Sequence, residues 1–250
     1  MNNSQEIYTK FASKKGQVAI LIDPEKSDNG PKLLELIKKA EFASINYFFI
    51  GGSTVTKTEF DKTIEFIKLN TSIPLVAFPG SSHQVSEKAD ALLYLSLLSG
   101  RNPDFLIGHH VQSASEILKM DIEVISTGYI LIDGGTRSTV AYVSQTTPIP
   151  RDQISIVRNT AIAGVLQGKK VLYFDAGSGA KFPVSSEIIA EIKFLNVPII
   201  VGGGIRTLNK MVELKKSGVN IIVIGNHIEE NIDFLLDIKS FTLDNFGYHK

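Results

Sequence analysis

The sequence predicts a (β/α)8 barrel of the TIM type with an irregular or missing third helix, and three observations carry that prediction. Eight short apolar runs recur along the chain, separated by mostly helix-patterned stretches, the alternation expected of a parallel barrel. Runs such as Val18-Ala-Ile-Leu-Ile22 are apolar throughout, as strands covered on both faces must be. Polar residues and glycines gather at the C-terminal ends of those runs, which in a barrel face one cleft. A doubly wound open sheet is the rival. It carries its glycine-rich fingerprint after the first strand, where this chain reads Asp23-Pro-Glu-Lys26.

The elements follow in order. Val18–Asp23 is the first strand, stopped by Pro24, which has no N–H for the ladder. Ser27-Asp-Asn-Gly-Pro31 supplies capping residues and a proline suited to the first helical position. Leu33, Leu34, Ile37 and Ala40 then repeat at helical spacing. Tyr47–Ser53 is the second strand, Phe60–Ile67 marks a helix, and Ile73–Gly80 is the third strand. The link Ser81–Asp90 is too short and polar for a full helix. Ala91–Ser99 is the fourth strand, Asn102-Pro103 caps a helix running to Met120, and Ile122–Asp133 holds the fifth strand. Gly134–Pro150 reads as an irregular, functional loop. A helix over Arg151–Gln167 leads to the sixth strand at Val171, and Glu187–Phe194 is helical. Val197–Ile205 and Asn220–Asn226 are the last two strands, with a helix capped by Thr207 and ended by Gly218 between them, and Ile232–Ile238 closes the chain.

Composition bounds the function. Hydrophobic residues make up 43% and charged residues 21% of 250, with 26 basic against 26 acidic side chains. That is an ordinary globular balance, with no basic cluster for nucleic acid. A chain of this length buries roughly three quarters of its unfolded surface, so one barrel domain over 1–250 is expected. There is no cysteine, which excludes thiolate metal sites and cysteine nucleophiles and fits a reducing compartment. The polar start Met1–Lys15 lacks a signal-peptide core, and no apolar run reaches membrane-spanning length. A cytoplasmic location is expected, and peripheral membrane contact is compatible with it.

The chemistry should sit at the strand ends. Val171–Gly179, Val-Leu-Tyr-Phe-Asp-Ala-Gly-Ser-Gly, offers a phenol at Tyr173, a carboxylate at Asp175 and a Gly177-Ser178-Gly179 loop whose N–H groups can approach an anion. A tight strand-to-helix turn with no ligand is the alternative. Gly202-Gly-Gly204 and Gly225-Asn226 follow the last two strands, where barrels often bind phosphate. A phosphorylated small molecule is therefore the expected ligand. Asp23 and Ser53 end adjacent strands; a carboxylate and a hydroxyl with room for water and a diphosphate suit Mg2+, and a cap on the following helix is the alternative for Asp23. Lys26 either pairs a phosphate or lies in solvent. His109 and His110 are neighbours in a helix and do not share a face, so they read as surface or packing residues. Arg137, Arg151 and Arg158 read as solvated charges.

Seven motifs in one order now carry a resemblance. Ile22-Asp-Pro-Glu-Lys26, Phe49-Ile-Gly-Gly-Ser53, Ser96-Leu-Leu-Ser-Gly100, Pro148-Ile-Pro-Arg151, Tyr173-Phe-Asp-Ala-Gly-Ser-Gly-Ala180, Val201-Gly-Gly-Gly-Ile-Arg206 and Val223-Ile-Gly-Asn226 together resemble the geranylgeranylglyceryl phosphate synthase family, which includes the bacterial heptaprenylglyceryl phosphate synthases. The resemblance spans about 15–240. It implies a prenyltransferase that joins sn-glycerol 1-phosphate to a polyprenyl diphosphate through an ether bond, with geranylgeranyl diphosphate or a longer donor. It implies Mg2+ at Asp23 and Ser53, and glycerol phosphate along Tyr173, Phe174, Asp175, Ala176, Gly177, Ser178 and Gly179. The phosphate would lie at Gly203, Gly204, Gly225 and Asn226, with Lys26 in the substrate site. Asp175 would accept the glycerol hydroxyl proton beside Tyr173. Phe78, Tyr94 and Tyr129 would line a prenyl trough. A homo-oligomer, dimer or hexamer, is also implied. The family pattern in the sixth strand is Tyr-x-Glu, whereas this chain has Tyr173-Phe174-Asp175, one methylene shorter at the carboxylate. The rivals are another phosphate-binding barrel enzyme, such as an isomerase or synthase, and a non-catalytic phosphometabolite binder.

Overall fold

The computed structural model describes residues 6–244 and is a closed barrel of eight parallel strands in the order β1-β2-β3-β4-β5-β6-β7-β8, with β8 pairing back to β1. The strands are β1 (Gln17–Ile22), β2 (Tyr47–Ile50), β3 (Leu75–Ala77), β4 (Ala91–Leu97), β5 (Glu123–Leu131), β6 (Val171–Asp175), β7 (Ile199–Gly202) and β8 (Ile221–Ile224). They are mostly apolar because alternate side chains enter two different cores. Ala19, Tyr47, Phe49, Leu93, Tyr173 and Val223 point into the barrel. Ile20, Phe48, Ile50, Phe174 and Ile222 point out against the helices.

The helices are α1 (Glu6–Ser13), α2 (Pro31–Phe42), α3 (Lys57–Asn70), α4 (His109–Ile117), α5 (Thr139–Val143), α6 (Ile154–Leu166), α7 (Ser186–Ile192), α8 (Leu208–Ser217), α9 (Asn226–Glu230) and α10 (Phe234–Asp244). Several begin as the sequence implied. Pro31 is the first residue of α2, although Gly30 precedes it without a side-chain cap. The Thr207 hydroxyl accepts the Lys210 N–H, and Gly218 ends α8 in the left-handed region.

Between β3 and β4 there is no helix, in line with the short Ser81–Asp90 link. The buried Gln84 replaces its organising role. Its amide nitrogen donates to the carbonyls of Gly52 and Val55, and its Oε1 accepts from the Gly80 N–H at 2.8 Å. One side chain thus ties the ends of β2 and β3 together.

Two local expectations are corrected, and the polar start gains an element that the sequence did not predict. Of the Met1–Lys15 start, Met1–Gln5 lie outside the described residues. The rest contains α1, whose Ile7 and Phe11 pack into the inner core. The buried Glu123 carboxylate holds it by accepting the N–H groups of Ile7 and Tyr8 at 2.8 and 2.9 Å, satisfying donors that a helix start leaves open. The helix expected to reach Met120 begins with a π-helical turn, Asp104–Gly108, continues as α4 and stops at Ile117. The Gly134–Pro150 loop contains α5, started by Ser138, whose hydroxyl accepts the Ala141 N–H.

Candidate active site

All eight strand ends open onto one cavity. The contiguous arc from β6 through β8 and β1 to β2 supplies its charged side chains and glycine loops, among them Asp175, Ser178, Gly203, Gly204, Asn226, Asp23, Lys26 and Ser53, while the neutral polar side chains of Ser81, Ser82, His109, His110 and Ser113 line the opposite side. The arc from β3 to β5, with the segments after β4 and β5, supplies Phe78, Tyr94, Phe105, Ile117 and Val140. The cavity therefore has an anion-seeking side continuous with an apolar trough.

Asp175 stands where the arcs meet. Its Oδ2 accepts the Tyr129 hydroxyl at 2.6 Å and its Oδ1 accepts the Gly177 N–H at 2.7 Å. Burial pushes its carboxyl above the usual aspartate range, against the pull of those two donors. Burial likewise holds the Tyr129 and Tyr173 phenols well above their ordinary value, with the Asp175 charge adding to it, so both remain protonated. Phe78 stacks on Tyr173 at 5.0 Å and Tyr129 meets Tyr173 edge-on at 5.3 Å, a rigid aromatic floor.

The glycine loops fold against this floor. Gly203 has φ +83°, and a Cβ there would come within 2.7 Å of Asp175 Oδ1 and 2.8 Å of the Ala176 and Gly177 nitrogens. Only a glycine lets the β7 loop lie against the β6 loop. Ser178 donates to Asn226 Oδ1 at 2.8 Å, tying the β6 loop to the loop after β8.

The model of the family described as PcrB matches residues 12–242. The chain belongs to the PcrB family. A geranylgeranylglyceryl phosphate synthase of Chitinophaga pinensis is 46% identical over 238 residues, covering 93% of this chain and 94% of that protein. The protein of the same name from Pyrococcus horikoshii is 38% identical over 227 residues, covering 90% and 87%. The crystal structure of (S)-3-O-geranylgeranylglyceryl phosphate synthase from Thermoplasma acidophilum, in complex with substrate sn-glycerol-1-phosphate, is 31% identical with a TM-score of 0.86, covering 96% of each chain.

In this PcrB-family barrel, most residues singled out in the sequence meet at the cavity: Asp23, Lys26, Ser53, Tyr173, Asp175, Gly177, Ser178, Gly179, Gly203, Gly204, Gly225 and Asn226. Phe174 and Ala176 do not. Both side chains belong to the outer core, because alternation along β6 turns them away from Tyr173 and Asp175. Lys26 is held in an ion pair with Glu229 at 2.9 Å and lies 3.9 Å from Asp23 Oδ2.

Asp23 does cap the turn Pro24–Lys26, accepting the Glu25 N–H. Its carboxylate also fits a hard cation. Burial raises its pKa despite nearby Lys26, so an added positive charge would relieve it. Gly52 leaves the space it occupies, since a Cβ there would meet Asp23 Oδ1 at 2.7 Å. Among the described residues no cluster of three or more His, Cys, Asp or Glu side chains could hold a metal. A cation at Asp23 and Ser53 would therefore draw its remaining oxygens from water and a diphosphate, the ligand habit of Mg2+.

Tyr129 was expected in the trough wall; its bond to Asp175 needed the register that sets Tyr129 beside Tyr173 across β5 and β6. His110 does pack, with Nε2 2.6 Å from the Leu95 carbonyl and its ring 4.1 Å from Tyr94. His109 sits edge-on to Phe105 at 4.8 Å. Both also line the cavity, which helical spacing alone does not foretell because α4 begins at the trough. Arg151 lies over the Phe182 ring at 4.3 Å, and Arg158 pairs with Glu191 at 3.8 Å.

Proposed function

We propose that this protein is a geranylgeranylglyceryl phosphate synthase, joining the C3 oxygen of sn-glycerol 1-phosphate to C1 of geranylgeranyl diphosphate. The observation that carries this is a single buried carboxylate, Asp175, set between glycine-rich anion loops and an apolar aromatic trough. An isomerase or synthase of polar sugars would need the loops but not the trough. The Thermoplasma acidophilum relative, which carries the name and the bound glycerol phosphate, adds support.

The phosphate of the acceptor is assigned to Gly203, Gly204, Gly225 and Asn226, with Ser178 alongside. The glycerol then runs over Tyr173 toward Asp175. The prenyl tail lies between Phe78, Tyr94, Phe105 and Val140, and its diphosphate faces Asp23, Ser53 and Lys26. Mg2+ held by Asp23 and Ser53 would neutralise charge on the departing diphosphate. The C1–O bond to diphosphate breaks with allylic cation character, and the glycerol C3 oxygen forms the new C–O bond. Its proton passes to Asp175, which burial makes more basic than a free aspartate. Such general-base help contributes about 10²–10⁴-fold. The shorter Asp175, where the family pattern has Glu, is fixed in orientation by Tyr129 and the Gly177 N–H. The aromatic floor keeps water from the cationic carbon.

The test is a product assay with purified protein, sn-glycerol 1-phosphate, Mg2+ and prenyl diphosphates of several lengths, read by mass spectrometry. Geranylgeranylglyceryl phosphate as the preferred product is expected. Preference for a longer donor would move the assignment to the heptaprenyl branch. Absence of any ether product from folded protein would overturn it.

A further inference from the structure

The motif Ser96-Leu-Leu-Ser-Gly100 is part of the family resemblance, yet neither of its serines lines the cavity. Both are engaged elsewhere. Ser99 Oγ accepts the Leu131 N–H at 2.9 Å, where β5 ends. Ser96, 4% exposed, accepts a hydrogen bond from Lys169 Nζ at 2.6 Å and donates to the Leu106 carbonyl at 3.3 Å. Leu106 lies inside the π-helical turn Asp104–Gly108, in which the His109 N–H bonds to the Asp104 carbonyl five residues back. That turn presents Phe105, and its continuation presents His109, to the trough.

We infer that Lys169 and Ser96 are positioning residues for prenyl binding: they clip the π-helical turn to the exit of β4 and so set the wall formed by Phe105 and His109. The inference rests on the trough being the prenyl site. Three observations carry it. First, Lys169 is placed at a cost. It reaches Ser96 from the loop between α6 and β6, its stem lying within contact distance of Gly128 and Gly164, the two glycines whose missing side chains make room for Leu98 beside it. Among the described residues no ion pair includes it, and the hydrogen bond its ammonium makes is to a hydroxyl. Partial burial lowers its pKa, the sign of an ammonium that lacks a compensating charge. A methionine would fill the same slot without that cost, so stability gives no reason for a lysine here. Second, a π-helical turn is wider than an α-turn, is uncommon, and occurs mostly at functional sites. An external donor to one of its carbonyls fixes a geometry that local bonding alone holds poorly. Third, the adjoining segment is also tied to the other wall. Asn102 Nδ2 donates to the Ser144 carbonyl at the end of α5, and α5 presents Val140 and Val143 to the same trough.

The experiment compares wild type with Ser96→Ala, Lys169→Met and the double variant, with Ser96→Thr as the hydroxyl-retaining control. Amide hydrogen exchange over 104–110 is read alongside separate KM values for the two substrates and the donor-length profile. Both single variants should speed exchange in 104–110 and leave the loops after β6 to β8 unchanged. The prenyl diphosphate KM should rise about tenfold, below the roughly hundredfold that a 1 Å misplacement can cost, and donor-length preference should broaden. The KM for sn-glycerol 1-phosphate should stay within about twofold of wild type, and Ser96→Thr should restore the prenyl KM. The Tm of Lys169→Met should equal or exceed that of wild type, because the uncompensated ammonium is gone. Unchanged exchange over 104–110 would overturn the clip. Faster exchange with an unaltered donor KM and profile would overturn its role in prenyl binding. A wild type that makes no ether product would instead overturn the assigned function, while the exchange comparison would still decide the clip.

Discussion

Replacing Tyr129 by Phe removes one hydroxyl and keeps the ring that packs against Phe78 and Tyr173. The lost bond is the 2.6 Å contact to Asp175 Oδ2, between two buried groups. A hydrogen bond to a charged group contributes about 1.5–3 kcal/mol, and each 1.36 kcal/mol is a factor of ten. The kcat/KM for sn-glycerol 1-phosphate should therefore fall by about 10–100-fold at neutral pH. The pH dependence has a definite sign. Burial raises the Asp175 carboxyl and the Tyr129 donor lowers it, so without the donor the carboxyl rises further and the acid limb of the rate profile moves to higher pH. Stability follows the same linkage. A carboxyl raised in the folded state favours folding most below its unfolded value, and that contribution is lost as pH rises through the folded value. Tyr129→Phe should deepen this loss, seen as a larger drop in urea stability between acid and neutral pH. The assay is kcat/KM against pH at saturating donor, paired with urea titrations. An acid limb that stays in place in Tyr129→Phe would refute the role given to Asp175 and its partner.

Other expectations follow from the same geometry. Asp175→Ala should retain glycerol phosphate binding by calorimetry while turnover falls by about 10²-fold or more; near-normal turnover would remove Asp175 from proton transfer. Gly203→Ala forces a Cβ to within 2.7 Å of Asp175 Oδ1 at φ +83°, so the acceptor KM should rise by about 5- to 150-fold, given the roughly 1–3 kcal/mol that such backbone strain costs. Asp23→Asn should raise the Mg2+ concentration for half-maximal rate; an unchanged metal titration would argue against the metal assignment. Glu123→Gln weakens the anchoring of α1 by the buried carboxylate and should cost about 1 kcal/mol in urea unfolding, with kcat unchanged.

The barrel was legible because its strands are largely apolar on both faces and its helices carry ordinary start and stop signals such as Thr207 and Gly218. The missing helix after β3 was legible from the shortness of Ser81–Asp90. What escaped was decided by contacts distant in sequence. Glu123 anchors α1 across a separation of 116 residues, and nothing near Ile7 announces that. In the π-helical turn the His109 N–H reaches the Asp104 carbonyl five residues back, and the Leu106 carbonyl of that turn is bonded by Ser96 from the preceding strand, neither of which a local pattern announces. Strand-end position was enough to bring Asp23, Ser53, Asp175 and the glycines to the cavity. It misplaced Phe174 and Ala176, because membership of a motif does not say which face of β6 a side chain takes. The Tyr129–Asp175 bond depended on strand register, which no local pattern encodes.

A crystal structure of this protein with bound sn-glycerol 1-phosphate tests the central claim most directly. The predicted result is a phosphate against the Gly203, Gly204, Gly225 and Asn226 backbone and a glycerol hydroxyl within hydrogen-bond distance of Asp175. A phosphate bound elsewhere, or a glycerol whose hydroxyls all turn away from Asp175, would contradict it.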